Sequence, residues 1–248
     1  MVKTGIYTAP RQLDISGIPT TVVDPHNEVF PAWVGYRIGQ KQPAILLRVD
    51  NHLDMASGAW TFEHFQKKSD TNDIDIYAKC GMRISEFTIP AVHYGIFGAV
   101  YCFDPREDGV VSFGSFSNGH FVNTPKAVID GNVLRWEGGG LFNPIGRYLS
   151  IKQLITELKG YSGPLVLDND LDGYACVDDE DLDQHEELSA RLLWENRFDN
   201  TMNLLEQLPT PGLITIARSQ TPQIWTSPGL IDFLEEKTIS TLRKLYKK

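Results

Sequence analysis

Short, continuously apolar segments alternate with helix-like segments along this chain, and that alternation constrains its fold more than any other feature. Continuous apolar runs are typical of strands that are buried on both faces of a parallel sheet. They lie at residues 20–23, 44–49, 99–103, 165–167 and 213–217. Helices are predicted from near Glu28 and at 60–67, 84–94, 151–159, 186–207 and 230–246. The sequence therefore predicts an α/β fold, with three layers (α/β/α) around a mainly parallel sheet.

The middle of the chain departs from this alternation. Residues 108–136 are rich in Gly, Ser, Asn and Phe, and turn-forming sequences at 117–119 and 130–131 predict a β-hairpin-rich insertion. The three glycines of 137–140 predict a tight turn there rather than a strand. Because the chain shows no internal repeat and no low-complexity linker, its 248 residues are predicted to form a single domain, 1–248.

Charge and composition exclude several classes of partner. The formal net charge of −9 argues against a nucleic-acid partner, which normally requires a basic face, and is compatible with a cationic substrate. No apolar run approaches the roughly eighteen residues of a membrane span, and the first residues lack a secretory signal pattern. Three cysteines without a paired spacing indicate neither a disulfide framework nor a thiolate zinc site. A cytoplasmic protein without a membrane segment is predicted.

Three polar segments, 24–28, 48–54 and 167–173, begin where predicted strands end. The carboxyl ends of parallel strands share one edge of a sheet, where ligands bind in open α/β folds. Two of these segments carry ligand-type side chains two residues apart, so that an extended backbone would direct each set to one side. The sets are Asp50, His52 and Asp54, and Asp168, Asp170 and Asp172. Converging carboxylates repel one another unless cations lie between them, and this donor set suits Mn²⁺, Mg²⁺ or Fe²⁺.

Each of these two motifs is a weak signal when it stands alone. Short acidic motifs occur by chance in turns, and the segment 168–173 also resembles the start of a calcium-binding loop. In that register the twelfth position of the loop is Asp179, with no clear pair of flanking helices. Two such motifs at the ends of two buried-type strands favour a hydrolytic site with two metal ions.

A family resemblance appears at the same motifs. The sequence from Asp50 to Asp54 resembles the DxHxD motif of the arginase (ureohydrolase) superfamily, and 167–173 resembles its later DxDG motif. The superfamily has a further histidine about two dozen residues earlier, and His26 lies 24 residues before Asp50. The segments 26–33, 86–95 and 213–222 resemble the peptide arginases, which convert arginine to ornithine within a ribosomally made precursor peptide.

The resemblance implies an arginase/deacetylase-like fold and two Mn²⁺ ions. Asp50 and Asp170 would bridge the ions, His26 and Asp54 would complete the shell of one, and His52 and Asp172 that of the other. Asp168 would orient a ligand, although the alternative register, with Asp168 and Asp170 as the pair, stays open because the three aspartates alternate.

Residues for proton transfer and for holding the guanidinium are less well marked. The superfamily has a proton-shuttling histidine after DxHxD, and the candidates are His64 and His93, with His120 as a further alternative. Near the last strand, where the enzymes of free arginine have a guanidinium-binding glutamate, this chain has Arg218 and Ser219. The candidates for substrate binding are therefore Glu28, Glu137 and Arg218, the last either contacting a peptide or forming a structural ion pair.

The resemblance implies a manganese-dependent hydrolase that acts on an arginine-containing peptide and releases urea, leaving ornithine. Two alternatives remain at this stage. One is an amidinohydrolase or deacetylase-like amidohydrolase of a free small molecule. The other is a non-catalytic superfamily member that binds a metal or a peptide.

Overall fold

The computed structural model describes residues 7–55, 78, 82–107, 109–114, 116–117, 120–121, 126–130, 133–138, 147–176, 186–222 and 224–247. The strands within these residues are β1 Arg11–Ile15, β2 Ile18–Val23, β3 Ala44–Val49, β4 Phe97–Phe103, β5 Gly109–Gly114, β6 Phe116–Ser117, β7 His120–Phe121, β8 Lys126–Asp130, β9 Val133–Gly138, β10 Arg147–Ser150, β11 Leu165–Asp170 and β12 Leu213–Ala217. The helices are α1 Phe30–Ile38, α2 Thr88–His93, α3 Ile151–Leu158, α4 Glu186–Leu205 and α5 Ile231–Leu245.

Eight strands form one sheet in the order β1-β2-β12-β11-β3-β4-β5-β10. The five central strands, from β2 to β4, are parallel to one another. The outer strands β1, β5 and β10 are antiparallel to theirs. The predicted α/β fold with a mainly parallel sheet is therefore confirmed, and its parallel part is the segment that carries the polar strand ends.

Two hydrophobic clusters cover the two faces of this sheet. On one face, Leu154 of α3, Phe198 of α4 and Leu234 of α5 pack against the strands. On the other face, Trp33 of α1 and Ala91 of α2 pack against them. Successive residues of β3 alternate between the two clusters, so that the last positions of the strand direct every second side chain towards α1 and α2.

Helix α2 is shorter than the predicted segment 84–94. Pro90 explains the difference, because proline lacks a backbone N–H and is tolerated in the first turn of a helix but not in its interior. The helix can therefore begin only shortly before Pro90, and Thr88 is its first residue. The preceding residues form turns instead.

The insertion consists of antiparallel pairs, as predicted. β5 and β10 join the main sheet, while β6–β7 and β8–β9 form two separate two-stranded sheets. The expectation of a turn at 137–140 is wrong for its first half, because Glu137 and Gly138 end β9. Gly138 pairs with Lys126 beside a register irregularity, which is a common position for a strand glycine. The predicted helix at 60–67 lies outside the described residues, and none of the described helices is long and apolar enough to cross a membrane.

Candidate metal centre

The ends of four adjacent parallel strands meet at one edge of the sheet. After β2 the chain enters a short 3-10 turn, His26–Val29, and after β11 it enters another, Leu171–Gly173. Asp50 follows β3 directly, and Ser219 follows β12. Because β11 lies between β3 and β12, the polar segments predicted from the sequence are brought together at the centre of the sheet.

His26 lies at the centre of a first group of carboxylates. Its Nδ1 atom is 2.7 Å from Asp170 Oδ2, 3.2 Å from Asp54 Oδ2 and 3.4 Å from Asp50 Oδ2. Ligands about 2.1 Å from one ion, at right angles to each other, are themselves about 3 Å apart. The spacing of these four donors therefore fits the coordination shell of a small divalent cation.

His52 forms a second group with Asp172. Its Nδ1 atom is 2.9 Å from Asp172 Oδ2 and 3.8 Å from Asp50 Oδ1. The Sγ atom of the buried Cys176 also belongs to this group, whose donor atoms lie within 4.8 Å of one another. Asp50 thus directs one carboxylate oxygen to the group of His26 and the other to that of His52, which is the geometry of a carboxylate that bridges two ions.

Asp168 contacts His26 on the opposite side of the ring. Its Oδ2 atom is 2.9 Å from His26 Nε2, and its Oδ1 atom accepts a hydrogen bond of 2.6 Å from the hydroxyl of Thr215. A carboxylate that holds the remote nitrogen of a histidine fixes the ring orientation and the tautomer for metal binding. Ser219, which follows β12, orients another carboxylate in a similar way, since its hydroxyl donates to Asp170 Oδ2 at 2.7 Å.

The side chains of the two motifs do not converge through extended backbone, as the sequence analysis expected. The chain bends directly after β3, and Asp54 reaches the group with a φ of 46°, a left-handed conformation that is uncommon for residues other than glycine. Asp172 lies in a 3-10 turn, where its backbone N–H donates to Asp170 Oδ1. A Cβ atom on Gly173 would come within 3.4 Å of the Asp50 backbone, so glycine allows the two motifs to approach closely.

The two histidines hold their protons strongly in the absence of a metal. Burial by itself would lower the pKa of His26, but Asp168 and Asp170 raise it well above its usual value. The hydrogen bond with Asp172 raises the pKa of His52 to about 9, against a smaller opposing effect of burial. A metal ion bound by these nitrogens has to displace protons, so that its affinity must increase with pH.

The pKa values of the carboxylates indicate that the protein's own cationic side chains do not fully balance their negative charge. Burial and the neighbouring aspartates raise the pKa of Asp50 well above its usual value, against the opposing effect of Arg48. Burial and Asp170 raise the pKa of Asp172 to about 6. By contrast, burial would raise the pKa of Asp54, but the guanidinium of Arg48 and the ring of His26 lower it. Additional positive charge at Asp50 and Asp172 would therefore be stabilising.

Arg48 is a site residue that the sequence analysis missed. It is fully buried, and it contacts both Asp50 and Asp54. A usable signal was present, because an arginine in an otherwise apolar strand, two residues before a predicted ligand, needs buried negative partners. Thr215 and Ser219 gave weaker signals, since single hydroxyl residues at strand ends are common.

A cleft of about 600 Å³ opens above the two groups. Its lining includes Met55 and Trp225 besides the ligand side chains, and the ring of Trp225 lies edge-on to His52, 5.1 Å between centroids. His52 is the most accessible of the candidate ligands, with 38% of its side chain exposed. The site is therefore accessible from the side of His52 and Trp225.

The residues predicted to bind substrate lie elsewhere or outside the described part of the chain. Glu28 is buried, accepts hydrogen bonds from the Tyr7 hydroxyl at 3.1 Å, and lines a second cleft of about 610 Å³. This second cleft shares Ile84 and Ser85 with the first. The structure does not describe His64 or the side chains of His93, His120 and Glu137, so their predicted roles stay untested.

Arg218 points away from the cleft and pairs with α5. Its guanidinium forms ion pairs with Glu235 and with Asp232, the latter at 2.7 Å. Of the two readings of Arg218 that the sequence left open, this geometry favours the structural ion pair.

Replacing Arg218 with alanine is therefore expected to lower the free energy of unfolding modestly, by about 1 kcal/mol, because these pairs are partly exposed to solvent. Denaturant titration of the variant measures this loss, and metal titration of the same sample should give unchanged affinity. Unchanged stability together with a raised KM would instead identify Arg218 as a substrate contact.

Comparison with known proteins assigns no family to this chain. No protein-family model matches it, and no curated protein matches its sequence significantly. What the protein does has therefore to be inferred from the ligand set and from the cleft above it.

Proposed function

We propose that the protein is a binuclear metal-dependent hydrolase of guanidinium groups, which converts arginine residues of a peptide to ornithine and releases urea. The observation that carries this proposal is the position of Asp50. Its two oxygens face two separate groups of nitrogen and oxygen donors, one around His26 and one around His52. The substrate class comes from the resemblance of the motifs to those of the peptide arginases.

The donor set fits two divalent ions of the manganese type. His26, Asp50, Asp54 and Asp170 would hold one ion, and Asp50, His52, Asp170 and Asp172 the other. Carboxylate oxygens with one imidazole on each side suit Mn²⁺, and the thiol of Cys176 beside His52 and Asp172 is the donor that would instead favour a thiolate-preferring metal. Two ions of this kind would supply Lewis-acid chemistry and lower the pKa of a water at neutral pH.

The protein's own residues would bind and orient the guanidinium. The overall charge of −9 attracts a cationic substrate at long range, whereas the carboxylates that line the cleft would be neutralised by the two metal ions. Trp225 offers an aromatic ring at the cleft wall, a surface on which a planar guanidinium stacks favourably. The departing amine needs a proton, for which His64 and His93 remain the candidates.

The second cleft supports a peptide rather than free arginine as substrate. Both clefts are lined by Ile84 and Ser85, so the second cleft lies next to the metal cleft and offers space for further residues of a peptide. Its lining combines apolar residues with polar side chains, among them Glu28 and Arg83, that can pair with peptide groups. A free amino acid would leave this space unused.

Urea release in the presence of Mn²⁺ tests the proposal. An arginine-containing peptide, free arginine and an acetyl-lysine peptide are compared, with a peptide carrying lysine in place of arginine as the blank. The arginine-containing peptide is expected to yield urea and the same peptide with ornithine in place of arginine. Urea from free arginine only would support the small-molecule alternative, and acetate release would support the deacetylase-like one. Stoichiometric metal binding without any product would contradict the proposal and favour a binding protein.

A further inference from the structure

Arg48 carries a permanent positive charge in the interior of the ligand cluster. It is the fifth residue of β3, on the face covered by α1 and α2, and its side chain is completely buried. Burying an arginine costs several kcal/mol unless charged and polar partners surround it. The residues that contact the guanidinium therefore indicate what this buried charge does.

Both terminal nitrogens of the guanidinium donate hydrogen bonds to the loop that follows β3. Its Nη2 atom donates to Asp50 Oδ2 and, at 2.7 Å, to Asp54 Oδ2. Its Nη1 atom donates to the carbonyl oxygen of Leu53 at 3.3 Å and to the hydroxyl of Thr88 in α2. Arg48 thus ties together the backbone and the carboxylate of the loop in which Asp54 adopts its left-handed conformation.

The remaining contacts fix the plane of the guanidinium. Its carbon lies 5.0 Å from the ring centre of Phe87, a cation–π contact. Its Nε atom lies 3.4 Å from Asp168 Oδ2, an ion-pair contact in which Nε makes no hydrogen bond, and Nη2 lies 3.5 Å from His26 Nδ1. A planar fork with donors in fixed directions can make all of these contacts at once, whereas the single ammonium of lysine cannot.

The charges of the site balance only if Arg48 is included. The site contains five carboxylates (Asp50, Asp54, Asp168, Asp170 and Asp172) and one guanidinium, which contacts the first three of them. With both histidines neutral, as metal binding requires, the group carries four net negative charges. Two divalent cations neutralise these four charges, which would otherwise be five.

We propose that Arg48 is a positioning residue that holds Asp50 and Asp54 as metal ligands and sets the charge of the site to match two divalent ions. This inference deepens the proposed function, because it presupposes that these carboxylates bind metal. According to this inference, binding of the ion that His26 and Asp54 would hold depends on Arg48. Partners that orient metal ligands typically contribute about 10–100-fold to metal affinity.

The test compares Arg48→Met and Arg48→Lys with Arg37→Met. Arg37 is a matched control, because it is also buried but donates to the carbonyl oxygens of Gly95 and Gln40 rather than to carboxylates. Manganese affinity and stoichiometry are measured by titration, the electron paramagnetic resonance spectrum separates a coupled ion pair from an isolated ion, and thermal unfolding of the metal-free proteins reports the fold. Thr88→Val, which removes only the hydroxyl that holds Nη1, is included in case the methionine variant does not fold.

Arg48→Met is expected to bind one ion about 10–100-fold more weakly than the unchanged protein and to show the spectrum of an isolated ion. Arg48→Lys should recover part of the affinity, Thr88→Val should lose part of it, and Arg37→Met should lose stability while keeping both ions. Folded Arg48 and Thr88 variants with unchanged affinity and a coupled spectrum would overturn the inference, as would an equal loss in Arg37→Met. These metal-binding measurements use no substrate, so they test Arg48 independently of the reaction. A wild-type protein that binds two ions but releases no urea in the separate activity assay would contradict the proposed function alone.

Discussion

Asp50→Asn is expected to lose both metal ions and to release urea no faster than a blank without enzyme. The asparagine side chain has one carbonyl oxygen, so it cannot present a negative oxygen to each of the two donor groups. It also leaves Arg48 with fewer buried negative partners. Asp170 is also proposed to contribute to both ions, but Asp50 is the carboxylate whose two oxygens separately face His26 and His52 and which in addition contacts Arg48. Its replacement should therefore be the most damaging at the site.

Thermal unfolding gives a second readout of the same variant. A ligand present at a hundred times its Kd stabilises the folded state by about 2.7 kcal/mol. For a domain of this size that corresponds to roughly 5–10 °C in Tm. Manganese should raise the Tm of the unchanged protein by about this amount per ion, and it should leave the Tm of Asp50→Asn unchanged.

Asp24→Asn is the matched control for this experiment. Asp24 is a buried aspartate at the same sheet edge, but its oxygens accept hydrogen bonds from the backbone N–H groups of Thr8 and Gln220. The control should lose some stability and keep the increase in Tm with manganese. An Asp50→Asn protein that still binds two ions would exclude Asp50 as the bridging ligand.

The three aspartates of the later motif should differ sharply when each is replaced by asparagine. Asp170→Asn and Asp172→Asn are expected to lose metal, the second variant losing the ion next to His52, because these carboxylates contact the ring nitrogens that face the cleft. Asp168→Asn should keep two ions with affinity lower by about 10–100-fold, because Asp168 contacts His26 at its remote nitrogen and not at the nitrogen that faces the cleft.

Metal analysis after dialysis, followed by urea release at saturating Mn²⁺, distinguishes these outcomes. At high metal concentration Asp168→Asn should recover activity, whereas Asp172→Asn should not. The reverse pattern, with metal lost from Asp168→Asn and retained in Asp172→Asn, would move the ligand pair to Asp168 and Asp170. Thr215→Val serves as a milder comparison that keeps the Asp168 carboxylate, since it removes the hydroxyl that donates to Asp168 and accepts from Trp33 Nε1.

Much of the sheet could be predicted because its central strands are buried on both sides. Continuous apolar runs marked β3 and β12 at their full length, since every residue of these strands except Arg48 and Thr215 is apolar. β11 was predicted too short, because its last residues are polar ligands rather than core residues. A continuous apolar run thus marks the part of a strand that packs in the core. It does not mark the polar residues at the end of the strand, which belong to the site.

The edge strand β1 was missed, although a local signal was present. Ser16 and Gly17 both have positive φ values, 55° and 86°, and connect β1 to β2 as a two-residue hairpin loop. Such loops require residues that tolerate left-handed backbone, and a Ser-Gly pair between two strand-forming segments is a recognised signal. The charged and exposed side chains of β1, which lies at the sheet edge, hid it from a search for apolar runs.

The convergence of the candidate ligands could be predicted, but their partners could not. Spacing and strand ends placed Asp50 and the aspartates of the later motif at one sheet edge without any knowledge of distances. The role of Arg48 depends on a contact with Thr88, which lies 40 residues later in a helix that packs over the strand. Likewise, Glu28 and Arg218 are close in sequence to the site but face a second cleft and α5, respectively. Side-chain direction at a strand end is decided by tertiary packing, which a single sequence does not encode locally.

The order of strands in the sheet has a consequence for how the protein is made. β2 and β3 are consecutive in the chain, yet the two latest strands of the sheet, β11 and β12, are inserted between them. His26 and Asp50 therefore emerge from the ribosome early, while the aspartates that complete their groups follow more than a hundred residues later. Pairing of such distant segments is slow, because loop closure must precede the contacts that stabilise it. A nascent chain cannot assemble this donor set until synthesis has passed β12, so the metal binding proposed above would have to follow that point.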